Sequence, residues 1–172
     1  PTKPCNKQLA KMIKRKKTVA PKLFVRPFCL ITRRLKYFKD HITGRSSAGD
    51  YDIYNLLDKY PAQLKFTKKE EIKGTKNLEK MGIKSKFVCL IVRDSSYLKK
   101  NFPKSNFSYH DHRDDKIERY EKAVNFLIRK GYYVLRMGSI TKNKLKIKSE
   151  RFIDYSNSKY KSDFMDIFLG AK

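Results

Sequence analysis

Three features of this 172-residue chain predict an α/β fold, a parallel sheet with flanking helices preceded by a mainly helical, basic N-terminal segment. The run FVCLIV at 87–92 is apolar on both faces and rich in β-branched residues, the pattern of a strand buried in the middle of a parallel sheet. An amphipathic stretch with Ile117, Tyr120, Val124, Leu127 and Ile128 on one face follows it. A second apolar run, Tyr132 to Met137, comes next, and strand, helix, strand is the repeating unit of such sheets.

Residues 1–20 are polar and basic, with Leu9, Met12 and Ile13 as a short apolar stripe for one or two helical turns. From Pro21 to Tyr37 the periodicity fits neither helix nor strand, and that stretch stays open. Arg45 to Asp50 reads as a loop, and Ile53, Tyr54, Leu56 and Leu57 as a short helix ended by Pro61. Thr67 and Glu70 form a capping box, and Gly82 between Leu78 and Ile83 ends that helix. After FVCLIV a polar loop runs to about His112, Asp115 and Glu118 mark the next helix start, and Gly131 stops it. Phe152 to Tyr155 reads as a third strand and Asp163 to Phe168 as a helix. The chain divides into a basic segment, 1–65, the end of a first domain or a linker, and 66–172, the start of a doubly wound, Rossmann-like domain. Sheets of this kind have roughly five or six strands, so the last helix, reaching Leu169 with no following strand, is expected to mark a truncated domain.

Composition bounds the function. With 40% hydrophobic residues and 22 Phe and Tyr there is material for a core, so wholesale disorder is excluded in spite of a net charge of +25. The longest apolar run, Phe87 to Val92, is far below the roughly 20 residues that cross a bilayer. Nothing at the start reads as a secretory signal. Cys5, Cys29 and Cys89 form no C-x-x-C pair, which suits a reducing cytoplasm. No metal site is expected, since His110 and His112 have no cysteine near them to complete a ligand set. Residues 1–45 carry 14 Lys or Arg against Asp40 alone, giving +13. That excess either draws the chain to a polyanion, such as nucleic acid, an anionic glycan or an acidic membrane surface, or is a solvated consequence of composition.

Arg93 closes the first strand, where open α/β sheets bind ligands, and a forked cation there suits a diphosphate; pairing with Asp94 or with a helix carboxylate is the structural alternative. His110, Asp111, His112, Arg113, Asp114 and Asp115 crowd ahead of a helix N-terminus, where His110, His112 or Asp111 could act as a general base and Arg113 as a second phosphate contact. Gly138-Ser139 after the second strand would let a ligand approach the backbone, although ordinary turn chemistry explains the pair nearly as well. The lysines from Lys142 to Lys148 read as a solvated loop or edge strand. There is no G-x-G-x-x-G, P-loop, G-x-S-x-G or H-E-x-x-H pattern.

The segments FVCLIVRDSSYL, YHDHRDDKIERYEKAVNFLIRKGYYVLRMGS and IDYSNSKYKSDFMDIFLGAK resemble a family of bacterial glycosyltransferases encoded with surface-polysaccharide genes. The resemblance is close over 87–172, moderate over KFTKKEEIKGTKNLEKMGI and faint before Phe66. It implies a two-domain fold of the fucosyltransferase-like kind, a nucleotide diphosphate sugar as donor, no cofactor or metal, and a glycan or lipid-linked glycan acceptor at the cytoplasmic face of the membrane. Arg93 would face the donor diphosphate. Arg113 matches the arginine of a Tyr-Arg-Asn-like motif, here His112-Arg113-Asp114. Arg136 and Asp163, with Asp166, lie at family positions. The rival expectation, from charge and aromatic content, is a basic nucleic-acid-binding protein, which the motifs do not favour.

Overall fold

The computed structural model describes residues 4–17, 22–32, 34, 35, 37, 55–141 and 143–172. The chain forms two compact units, one reaching Phe66 and the other comprising Thr67–Lys172 with Asn6–Gln8. The expected loop at 45–50 and the residues Ile53 and Tyr54 lie outside the described residues, as does Lys142.

The described helices up to Phe66 are α1 (Lys7–Lys16), α2 (Lys22–Thr32) and α3 (Leu56–Lys59). The ambiguous stretch after Pro21 thus becomes α2, with Pro27 inside it. Proline lacks the N–H that would bond the fourth residue back, so α2 tolerates one missing backbone bond.

The second unit contains α4 (Lys68–Lys80), β1 (Phe87–Leu90), α5 (Ser96–Asn101), α6 (Glu121–Arg129), β2 (Tyr133–Arg136), β3 (Phe152–Ile153) and α7 (Asp163–Gly170). Helix α4 starts on the expected box: Thr67 Oγ1 accepts from Glu70 N at 3.3 Å, and Glu70 Oε2 accepts from Thr67 N at 2.9 Å. Glu70 is buried, and its other oxygen accepts from Gln8 Nε2 at 2.9 Å. At the far end Gly82, at φ 78°, lets Ile83 N–H reach back to Leu78 O at 3.0 Å. Gly131, at φ 88°, does the same for α6, where Tyr132 N–H bonds Leu127 O at 3.1 Å. Both stops need the left-handed backbone that glycine adopts without strain.

The sheet is parallel, in the order β1-β2-β3, pairing Phe87 with Tyr133, Leu90 with Arg136 and Val134 with Phe152. This corrects one expectation. The FVCLIV run is not the middle strand among those described; β2 is, and all four of its residues are buried while those of β1 are half-buried. Apolarity on both faces reports cover above and below a strand, not neighbours on both edges. The strand also stops at Leu90, and Ile91 is 74% exposed.

On one face Val134 packs with Ile117, Val124 and Leu145, joined by Leu90, Leu127, Ile128 and Phe152. On the other, Cys89 lies under α7, its Sγ 3.6 Å from Leu169 O, and burial raises its thiol pKa. Lys144, Lys146 and Lys148 are exposed, whereas Leu145 is buried and Ile147 half-buried, so the basic run is a loop that seals this core with alternate residues. Two other details differ from expectation. Asp115 precedes, and Glu118 lies within, a 3-10 turn (Ile117–Tyr120) that leads into α6, and Asp115 accepts from Lys116 N at 2.7 Å in place of a capping box. Tyr155 leaves the third strand for a 3-10 turn, where it is fully buried and donates to Asp166 Oδ1 at 2.7 Å. Helix α7 closes at Gly170, with Ala171 N–H bonding Phe168 O at 3.2 Å.

Helices α4 and α7 touch at Gly74, where an added Cβ would stand 2.2 Å from the Phe168 ring. Gly→Ala in an open helix stabilises by up to about 1 kcal/mol, but here overpacking wins, and Gly74→Ala is expected to destabilise by roughly 1–3 kcal/mol. Gly170→Ala, with nothing within 4 Å of the new carbon, is the control and should be near neutral. Urea midpoints of the two variants check the contrast.

Candidate functional site

Because the three strands are parallel, their carboxyl ends lie on one edge, and that edge is where the polar residues gather. Past β1, Arg93 is the third residue beyond the strand. Its carbonyl accepts from Asp115 N–H at 2.9 Å, and its Nε lies 3.3 Å from Asp114 Oδ1. The two charges attract but are not aligned for a hydrogen bond, and Asp114 Oδ1, itself shut off from solvent, makes none. These two ties hold the 108–115 segment against the end of β1. Asp94 turns inward on its own loop, accepting from Ser96 N–H at 2.8 Å as α5 begins.

The polar loop expected from 94 to 112 is more ordered than its composition suggested: it contains α5 and a 3-10 turn, Ser108–Arg113. Between them lies a cleft of about 170 Å³ lined by Ser95, Lys99, Ser108, His110, Asp111 and Asp114. An aromatic group fixes its wall, with Phe107 stacked on His110 at 6.5 Å and Tyr109 4.1 Å from the same imidazole. The His110 amide also bonds Phe107 O at 2.9 Å. The ionisable cluster read from the sequence therefore divides. His110 and Asp111 line the cleft, Asp114 is its floor partner to Arg93, and His112 and Arg113 are exposed and do not line it.

Arg136 ends the central strand on the Val134 face and is 2% exposed. Its guanidinium donates to Asn143 O, and Asn143 Nδ2 donates to Glu118 Oε1 at 2.8 Å, so Arg136 ties the loop after β2 to the turn before α6. Gly138, at φ 146°, has a backbone that side chains disfavour, and a Cβ there would stand 2.7 Å from Thr141 Cγ2. Ser139 is exposed, and its carbonyl accepts from Lys161 Nζ. Asp163 opens α7, and its carboxylate accepts from Lys7 N–H at 2.7 Å.

One group was not foreseen. After β3, Asp154 accepts from Ser156 Oγ at 2.6 Å and from Asn157 Nδ2 at 2.8 Å, and Thr141 Oγ1 lies 3.3 Å from Ser156 Oγ. This network joins the loops after β2 and β3. The signal that the sequence did contain is an acid directly after a strand with Ser and Asn two and three residues on. Among the described residues no group of three or more His, Cys, Asp or Glu could hold a metal ion, and no helix is long and apolar enough to cross a membrane. No family model, curated protein or solved structure matches the chain.

Near the site, Asp115 and Glu118 are carboxylates held below their ordinary range. Asp115 sits below its ordinary pKa, chiefly through the Lys116 amide and then the Tyr120 hydroxyl and Arg119. Glu118 is also lowered, by a backbone hydrogen bond and then by Asn143. A depressed carboxylate stabilises the fold above its unfolded pKa and loses that contribution as pH falls through its folded value. The turn before α6 should therefore loosen on going from about pH 5 to about pH 3. Asp115→Asn should shrink the drop in thermal midpoint over that interval; an undiminished drop assigns the acid sensitivity elsewhere.

Proposed function

We propose that the chain carries the donor-binding part of a glycosyltransferase that moves a sugar from a nucleotide diphosphate sugar to a cell-surface glycan acceptor, on a Rossmann-like sheet. The observation that carries this reading is the carboxyl edge: Arg93, the His110–Asp111 cleft and the Gly138-Ser139 backbone follow strands that run in one direction. The motif resemblance over 87–172 supports it.

The chemistry asks for two things. Departure of a nucleoside diphosphate concentrates negative charge on its terminal phosphate, which fixed cations stabilise where water is excluded. Arg93, whose side chain is 35% exposed, reaches that charge by exchanging Asp114 for the diphosphate. The pair with Asp114 then serves to park the guanidinium at the edge in the absence of donor. The acceptor hydroxyl must also lose a proton, and of the candidates His110, His112 and Asp111 we assign that role to His110, which lines the cleft with Asp111 beside it. Arg113, exposed on the same turn, supplies a second cation for phosphate. Arg136 and Asp163 act in this account by holding segments of the chain together, Arg136 Nη1 donating to Asn143 O and Asp163 Oδ2 accepting from Lys7 N–H.

Calorimetric titration with nucleoside diphosphates tests the proposal. Arg93→Ala should weaken binding by about one to two decades, the worth of one charge-assisted bond of roughly 1.5–3 kcal/mol. Asp114→Asn, which removes the competitor, should bind at least as tightly as the parent. If both variants bind like the parent while circular dichroism shows them folded, the donor-site assignment fails. Steep salt-dependent binding of RNA or DNA with no nucleotide affinity would favour the nucleic-acid reading instead.

A further inference from the structure

We propose that α2 is a membrane-interface helix that seats the N-terminal segment on an anionic lipid surface, its apolar arc dipping into the headgroup boundary. The proposal stands apart from the donor site and does not depend on it. Soluble helices turn their large apolar residues inward, and α2 does the reverse. Leu23 is 80% exposed, Phe24 71%, Phe28 61%, Leu30 58% and Ile31 63%. At 100° per residue, Leu23, Pro27, Leu30 and Ile31 run into Phe24 and Phe28 as one continuous arc. The inward line is small: Thr32 is buried and Val25 half-buried. A contiguous apolar surface of this kind marks a contact with something not polar.

The occupant follows from length and charge. Eleven residues at 1.5 Å each span about 16 Å, too short to cross a bilayer and suited to lying along one. Arg26 is exposed at the margin of the arc, with Arg34 exposed just beyond the helix. The last turn of α1 adds Lys14, Arg15 and Lys16. Residues 1–45 as a whole carry 14 basic residues against Asp40. Apolar residues flanked by arginine and lysine are the pattern of helices that insert among acidic headgroups, where each nearby cation adds about 1 kcal/mol. A second copy of the chain is the wrong partner, because two bodies of net charge +25 repel each other.

The chain has no tryptophan, so Phe28→Trp gives a single indole reporter in the full chain. Added to vesicles of phosphatidylcholine containing about one third phosphatidylglycerol, this variant should show a blue-shifted emission, and with phosphatidylcholine alone little change. In co-sedimentation the double variant F24S/F28S should partition on the order of tenfold more weakly than the parent. The parent should retain part of its binding at about 0.5 M salt, where charge attraction is screened beyond roughly 4 Å. Both phenylalanines are largely exposed, so circular dichroism of the variant should match the parent. Equal partitioning of F24S/F28S and parent would overturn the proposal in favour of charge alone. Loss of a concentration-dependent self-association in F24S/F28S, with vesicle binding unchanged, would overturn it in favour of a protein contact.

Discussion

The second unit depends on the burial of one short strand. Val134 and Leu135 in β2 are completely shielded from solvent, one on each face of the sheet. Fully burying side chains of this size contributes about 1.5–3 kcal/mol each, and it requires cover on both faces. That requirement sets the rest: α6 and the 145–147 loop close one face, α7 approaches the other above Cys89, and α4 is held to α7 through the Gly74 contact. Parallel pairing with β1 and β3 then follows from crossover connections that must carry these covering segments.

The same constraint places the polar residues. Strands with both faces buried can present charge only at their ends. Arg136 is the exception, buried at the end of β2, and its guanidinium is satisfied by a loop carbonyl. Arg93 lies beyond the strand and keeps partial exposure, so it can change partners. That contrast is why we propose different roles for these two arginines.

What could be read from the sequence was what local spacing decides. Thr67 and Glu70, three residues apart, can satisfy each other wherever the helix goes, and both Gly82 and Gly131 stop helices by backbone conformation alone. The strand around Cys89 was legible, but its place at one side of the described sheet was not, because strand neighbours are set by pairings across some 46 residues, such as Phe87 with Tyr133. Within the histidine cluster, composition could not separate His110 from His112. The separation comes from a 3-10 turn and from Phe107, which turn one imidazole into the cleft and leave the other outside. Nor could spacing have paired Arg93 with Asp114, where the partner read from sequence was adjacent or on a helix. Helix α2 was unreadable for a different reason: Pro27 interrupts the pattern, and Val25 and Cys29 add apolar positions outside the arc of Leu23, Phe24, Pro27, Phe28, Leu30 and Ile31.

We propose that the carboxyl edge of this sheet binds a nucleoside diphosphate. A titration of isotopically labelled chain with nucleoside diphosphates, followed by backbone amide resonances, tests it most directly, since the opposite edge offers a competing basic groove at Ser85, Lys86, Lys130 and Gly131. Shifts should concentrate at Arg93 to Ser96, at His110 to Asp115 and at Gly138 and Ser139. Shifts confined to Ser85, Lys86 and Gly131, or spread evenly over the lysine-rich surface, would contradict it.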